Sequence, residues 1–440
     1  MSIRLPSEAP KYLCRRCQRA DPPTLTSSTR SLNALRCTSE RNFIMATSFT
    51  TARTAATKVP LAHADLLNES LTTTVQSRFN GVLEGLHKAA IAIEQKRIAL
   101  GGATGQSIGH VDFGAGDGYF CRFQNGIIYL LPPAAPCWVH GSILDKYIAQ
   151  GAERGPLGYP TTDELATPAG SGRYNHFQRG SIYWSYVSGA HIVAGAIRDR
   201  WAVLGWEQSW LGLPTSDEKD YADGGRVSEF QHGNIYWWDD TGAIDLGDVA
   251  VRYKGLYCFG ETSGAGSDEP YLIFGVVPPP PYRAAASLTQ IYDDVDDGDS
   301  RPDTVELYRG IPGGFAISFS LFEHDTDDRD KYLGLVKQAV ALAGKGVAAG
   351  CGGLLGPDAA KVCESVWGAL ATDLAKAAND VLGTGDDFIA ASGFALSAKE
   401  MVLLANVPRQ NFWGIEYHRE SALLSDGDAS YKAYLDVVRV

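Results

Sequence analysis

Most of the signatures that would assign this 440-residue chain at a glance are missing. No run of 18 or more uninterrupted apolar residues occurs, which argues against a membrane-spanning helix. No apolar run follows the basic start, so the first residues do not read as a secretory signal peptide. The eight cysteines lack the spacing of a metal site or a disulfide framework; Cys14 and Cys17 form a C-x-x-C, but a second pair to complete a zinc knuckle is absent. There is no Gly-x-Ser-x-Gly elbow, no His-Glu-x-x-His and no phosphate-cradling loop, so none of the common catalytic signatures is present. Basic charge is also scarce beyond the N-terminus. Residues 1–58 hold ten Lys and Arg against three acids, so a net charge of −12 leaves −19 on the remainder. An acidic body of that kind excludes nucleic acid as the main partner.

The basic residues 1–58 stand outside the fold on two open readings: a transit-like presequence, or an unstructured extension upstream of a second start at Met45. The compartment stays open with them, cytoplasmic or non-classically secreted. Residues 59–99 read as a helical lead-in, and a repeat begins near residue 100. Three segments align on three anchors. An Ile/Leu-Gly step appears as Ile108-Gly109, Leu157-Gly158-Tyr159-Pro160 and Leu211-Gly212-Leu213-Pro214. A Phe-Gln-x-Gly-x-Ile-Tyr block follows from Phe123, Phe177 and Phe230, and a glycine precedes an aromatic by six residues at Gly141 and Tyr147, Gly195 and Trp201, and Gly247 and Tyr253. The block alternates like a strand entered through a glycine turn, while Ile197 to Leu204 reads as one or two helical turns. A unit so small cannot bury its apolar face alone and must stack on neighbours.

These residues resemble the LGFP repeat family, whose Pro-Thr-Ser/Thr-Asp-Glu continuation is matched by Thr161-Thr162-Asp163-Glu164 and Thr215-Ser216-Asp217-Glu218. The resemblance implies a non-catalytic module of cell-envelope and secreted proteins that holds its host on wall polysaccharide. Trp184, Trp206, Trp210, Trp237 and Trp238, with Tyr183 and Tyr236, are the candidate glycan-binding residues, since sugar C–H faces stack on flat rings. The glycine-rich run Val111 to Gly118 looks like a methyltransferase cofactor loop, but the next strand and Pro132-Pro133 leave no room for the helix that fold needs; it is expected to be a repeat loop. The acid pairs Asp163-Glu164 and Asp217-Glu218 recur at one repeat position, which favours a structural role over glycoside hydrolysis.

After Tyr253 the chain turns strand-rich, with acidic clusters after Ser267, at Asp293 to Asp299 and after Glu323. Calcium takes six to eight oxygen ligands, and carboxylates at alternate loop positions supply them. The first and third clusters resemble those of the C-two domain, a calcium- and lipid-binding β-sandwich. That resemblance implies Asp268, Asp325, Asp327, Asp386 and Asp387 as calcium ligands, with Glu261 and Asp330 as weaker additions, and anionic lipid as a second partner beside cell-wall or surface polysaccharide. Residues 331–383 read as an inserted helical hairpin. The expected fold is mainly β with helical additions: a β-rich repeat module over residues 100–255, then an antiparallel β-sandwich over 256–440. The expected function is lectin-like binding without catalysis. A membrane-active toxin or defence protein using the hairpin, and a glycan hydrolase, are the competing classes.

Overall fold

The computed structural model describes residues 64–263, 266–278, 282–324, 330, 333–334, 337–338 and 387–440, with side-chain burial from residue 73 onward. The chain enters through helix α1 (Ala64–Ala99), whose last turns are packed on the first sheet through Ala89 and Ile93. Three four-stranded antiparallel sheets follow, each wound in simple sequence order. The first holds β1 (Ser107–Phe113), β2 (Tyr119–Phe123), β3 (Gly126–Leu130) and β4 (Cys137–Val139). The second holds β5 (Leu165–Ala166), β6 (Gly172–Phe177), β7 (Gly180–Ser185) and β8 (Gly189–Ala194), and the third β9 (Lys219–Asp220), β10 (Arg226–Glu229), β11 (Asn234–Trp238) and β12 (Gly242–Leu246). The Phe-Gln-x-Gly block is where each sheet folds back: Phe123 pairs with Gly126 and Phe177 with Gly180, so Gln and its successor form a two-residue hairpin loop.

Helices α2 (Gly141–Ala149) and α3 (Gly195–Leu204) close the first two copies, the second where a helix was expected. Each becomes the filling between two sheets. Ile143 and Tyr147 of α2 share one core with Ile127 and Tyr129 before it and Leu157, Tyr159, Phe177 and Ile182 after it. Ile197 and Trp201 of α3 do the same between Tyr183 and Val193 on one side and Leu211, Leu213, Phe230 and Ile235 on the other. An amphipathic helix that faces a sheet on either side needs an apolar stripe on both faces, which explains the large aromatic at the seventh residue of each.

The third copy departs from this plan. Beyond Gly247 the chain runs directly into strand β13 (Val249–Gly260), and Tyr253, the counterpart of Tyr147 and Trp201, lies fully buried in it. The helix expected from the repeat is replaced because β13 is held on both edges, by β16 (Ser300–Gly310) and by the C-terminal strand β23 (Ser430–Arg439). The sandwich thus begins at Val249, inside the last repeat copy. Its second sheet is built from β14 (Pro270–Val277), β15 (Ala285–Leu288), β17 (Phe315–Glu323) and β18 (Asp387–Leu396), in the order β15-β14-β17-β18. Every residue of β14 is buried, as an apolar run packed on both faces requires. Helix α4 (Ala398–Leu404) starts in a capping box between Ser397 and Glu400. The short strands β19 (Gln410–Phe412), β20 (Ile415–Tyr417), β21 (Arg419–Glu420) and β22 (Leu424–Ser425) complete the domain. The inserted hairpin expected at 331–383 lies almost wholly outside the described residues.

Candidate functional site

Residues that recur at one position in every copy identify the scaffold, and they can be set aside before a site is sought. The glutamine of the hairpin loop turns back on the Leu-Gly step: Gln178 Oε1 accepts the Tyr159 N–H at 3.0 Å and Gln231 Oε1 the Leu213 N–H at 2.9 Å. A side chain on Gly158 (φ +70°) or Gly212 (φ +73°) would meet that Oε1 at 2.4 Å, so glycine is required there. In the first copy the same work is done by Gly105 (φ +70°) against Gln124, which accepts the Gln106 N–H at 2.9 Å. The Ile108-Gly109 pairing is therefore corrected in space to Thr104-Gly105; Ile108 is exposed and Gly109 has nothing nearer than 4.0 Å.

The acid pairs belong to the scaffold as well. Asp163 accepts the Trp138 N–H of β4 at 2.8 Å and pairs with Lys96 of α1. Asp217 accepts the Ile192 N–H of β8 at 2.9 Å and pairs with Lys146 of α2. Each aspartate thus ties the entry of its copy to the last strand of the preceding copy and to the helix before that. Burial works against the charge of Asp217, but hydrogen bonds from His191, Lys146 and Ile192 outweigh it and hold the carboxyl well below the usual range. Glu164 lies near His140 and Arg173, and Glu218 is 2.9 Å from Arg226. Burial raises the Glu164 carboxyl against the pull of His140 and Arg173. The glycine-rich run 111–118 is a β1–β2 hairpin connection, as expected; Gly114 and Gly118 leave space for the ring of Tyr159, whose hydroxyl donates to Ala115 O at 2.8 Å.

Residues that differ between the copies gather on one face of the second. There β6 and β7 carry Tyr174, His176 and Ser181 beside the recurring Tyr183, and α3 with the 3-10 turn Trp206–Gln208 brings Arg198 and Trp206, next to Glu207, whose counterpart in the first copy is Glu153. The His176 ring centroid is 4.9 Å from Tyr174 and 5.8 Å from Trp206, and the Arg198 guanidinium lies 5.0 Å over the Trp206 ring. Arg198 Nε donates to Ser181 Oγ at 2.8 Å, and Ser181 Oγ lies 2.7 Å from His176 Nδ1. The guanidinium can only donate, so Ser181 Oγ accepts from Arg198 and is the shared partner of the guanidinium and the imidazole. Burial, then the Arg198 charge, lower the His176 pKa below its ordinary value and favour its neutral form. Ser181 is fully buried, so it positions the two groups and is not placed to attack a ligand. At the matching positions the first copy has Arg122, Ile127, Leu144 and Ala152, and the third has Glu229 and Asn234 with no helix. Trp206 also sits at φ +59°, a left-handed conformation that costs a bulky residue roughly 1–2 kcal/mol.

The family model for the LGFP repeat matches residues 108–155, 157–209 and 211–256. The chain carries three LGFP repeats. No curated protein matches the chain, and no family match supports the likeness of the segment after the repeats to a C-two domain.

Within the LGFP repeats, the seven rings expected to bind glycan divide by burial. Tyr183, Tyr236 and Trp238 are core: Tyr183 packs edge-on against Trp201, and Trp238 donates to Ala222 O at 3.2 Å. Trp184 and Trp237 are half-buried against the α2 and α3 cores. Trp210 is exposed, but its indole donates to Asp245 at 3.1 Å and its ring covers Gly233. Only Trp206 joins the polar cluster. Tyr174, His176 and Arg198 were missed, because a search for what recurs passes over the residues that differ between copies.

In the sandwich, Asp268 is 1 % exposed; its carboxylate accepts from Thr262 N at 3.1 Å, Thr262 Oγ1 at 2.6 Å and Tyr431 OH. This corrects its expected role: both oxygens close the 261–268 loop and neither is presented to an ion. Asp387 is exposed at the start of β18, paired through its backbone with Glu323. Asp325, Asp327 and Asp386 lie outside the described residues, and Asp330 is exposed. Among the described residues no group of three His, Cys, Asp or Glu converges on a point that would hold a metal. The Glu261 carboxyl is raised by burial first and then by the nearby Asp296 and Asp268 charges.

Proposed function

We propose that this is a non-catalytic binding protein that holds a cell-surface or cell-wall glycan on the second LGFP repeat. One observation carries the reading. At a surface where the first copy has Leu144 and Ala152 for Arg198 and Trp206 and the third lacks the helix, the second copy gathers two half-buried flat rings, Tyr174 and Trp206, around Arg198 and His176. Rings that stack on sugar C–H faces beside groups that bond hydroxyls are the elements that sugar recognition needs. The test is co-sedimentation of the protein with insoluble wall polysaccharides, comparing the native chain with Trp206→Ala and Tyr174→Ala. Loss of pelleting in both variants, with unchanged melting, is the expected result; unchanged pelleting would sink it. Release of soluble sugar from the pellet would favour the glycan hydrolase instead, and leakage from lipid vesicles the membrane-active reading.

Calcium enters this proposal at the sandwich loops, with anionic lipid as the partner it would bring. Like charges set close together, as Asp296 and Asp268 are to Glu261, are what a divalent cation relieves. With Asp268 committed to the fold, the ion would rely on Asp387 together with Asp325, Asp327 and Asp386. Calorimetric titration of calcium into chelator-treated protein tests this, and an Asp325→Asn, Asp327→Asn double variant is expected to lose the heat.

A further inference from the structure

We infer that the glycan held by the second LGFP repeat bears carboxylate groups, and that Arg198 and His176 are the pair that reads them. This rests on the glycan reading above and narrows it. Both groups are anchored on one hydroxyl, Ser181 Oγ, at 2.8 and 2.7 Å, and that oxygen is fully buried. The anchoring engages Nε of the guanidinium and Nδ1 of the imidazole, which leaves the terminal Arg198 nitrogens as charged donors for a ligand, with His176 Nε2 as the second polar atom beside them. Among the described residues the only ion pair of Arg198 is a 4.0 Å contact with Asp199, itself 78 % exposed. Glu207, the other acid in the cluster, lies beside Tyr183; burial first, and then the Glu207 charge, push that hydroxyl's pKa up. A neutral sugar offers hydroxyls that both donate and accept, and needs no full charge to meet them. Here the terminal nitrogens of a charged guanidinium stand next to each other, and a planar acid with two acceptor oxygens takes both at once. Trp206 supports the arrangement from below: its ring packs under the guanidinium at 5.0 Å and against Trp201 at 5.4 Å, so Arg198 is held between a flat ring and a hydroxyl and loses little freedom on binding.

The first copy lacks this arrangement: Ile127 stands for Ser181, Leu144 for Arg198 and Ala152 for Trp206, and the guanidinium it carries at the His176 position, Arg122, is paired with Asp112 at 3.0 Å.

Calorimetric titration of the full-length protein with oligogalacturonate, with its methyl ester and with a neutral oligosaccharide of equal length tests the inference. The acid is expected to bind about 10–100-fold tighter than the ester, the span of a charge-assisted hydrogen-bond pair. That preference falls as salt rises and disappears in Arg198→Leu, while Arg198→Lys keeps part of it; melting temperatures establish that both variants fold. Equal binding of acid and ester, or a preference that survives Arg198→Leu, overturns it. If the neutral oligosaccharide binds and Trp206→Ala abolishes that binding while acid and ester stay equal, this inference fails and the glycan reading stands. If no sugar binds, both fail.

Discussion

A left-handed glycine under a glutamine is the smallest unit of this fold, and it shows how a single atom constrains a repeat. At Gly158 a methyl group would meet Gln178 Oε1 at 2.4 Å and would also oppose a φ of +70°. Gly158→Ala is therefore expected to destabilise by about 2–3 kcal/mol, the left-handed penalty plus the disturbed hydrogen bond. Gly109→Ala serves as the control, with a change of no more than about 0.5 kcal/mol expected of an open site; urea unfolding of both variants measures the difference. Equal losses would restore Gly109 to the repeat position of Gly158 and Gly212. The sequence displayed both glycines next to apolar residues, and only the φ angle and the partner glutamine distinguish them. The same scale explains the binding cluster: His176 and Arg198 are unremarkable in the chain, and a shared hydroxyl makes them a pair.

Between elements, the recurring aspartates act as staples across three consecutive layers. Asp217 joins β8 through Ile192 N–H and α2 through Lys146. Its folded carboxyl titrates below the ordinary value of about 3.9, so the stability it contributes is present above that value and is lost as pH falls through the lower, folded value. Asp217→Asn is expected to cost about 1 kcal/mol, since its side chain is 38 % exposed and solvent screens the ion pair. The difference from the native chain should be constant from about pH 5 to 8 and shrink below about pH 4, as followed by thermal melts across that range. A difference independent of pH down to about 2 would show that the charge contributes nothing. Here the recurrence in sequence correctly predicted a structural duty. The partners, Lys96 for Asp163 and Lys146 for Asp217, were not legible, because they lie 67 and 71 residues away.

For the molecule as a whole, the repeats form a stack with α1 on the first sheet and the sandwich on the third. Val227, Tyr236, Trp238 and Leu246 of the third sheet share one core with Val249, Leu272, Phe319, Met401 and Val402 of the sandwich. Lys399 reinforces the joint, its N–H on Asp223 at 2.9 Å and its ammonium on Asp240 at 2.5 Å. Repeat and sandwich are thereby expected to unfold together at this end. Trp238→Ala, a large-to-small change in that core, should cost about 3–5 kcal/mol and speed hydrogen exchange in β13 and β23 as well as in β11. Protection in β13 that is untouched would mean the two parts open independently. The sequence by itself determined the elements: repeat period, hairpin loops and alternating strands follow from local pattern, since turn residues and side-chain periodicity act over a few positions. Tertiary structure alone decided the rest. The Tyr253 segment has the same glycine-to-aromatic spacing as two helices, yet it is a strand because β16 and β23 saturate its backbone from either side. Asp268 looks like its acidic neighbours, yet it is an internal acceptor because Thr262 and Tyr431 reach it. In both cases the deciding partners come from distant stretches of the chain, and a hydrogen bond between distant residues leaves no local pattern to read.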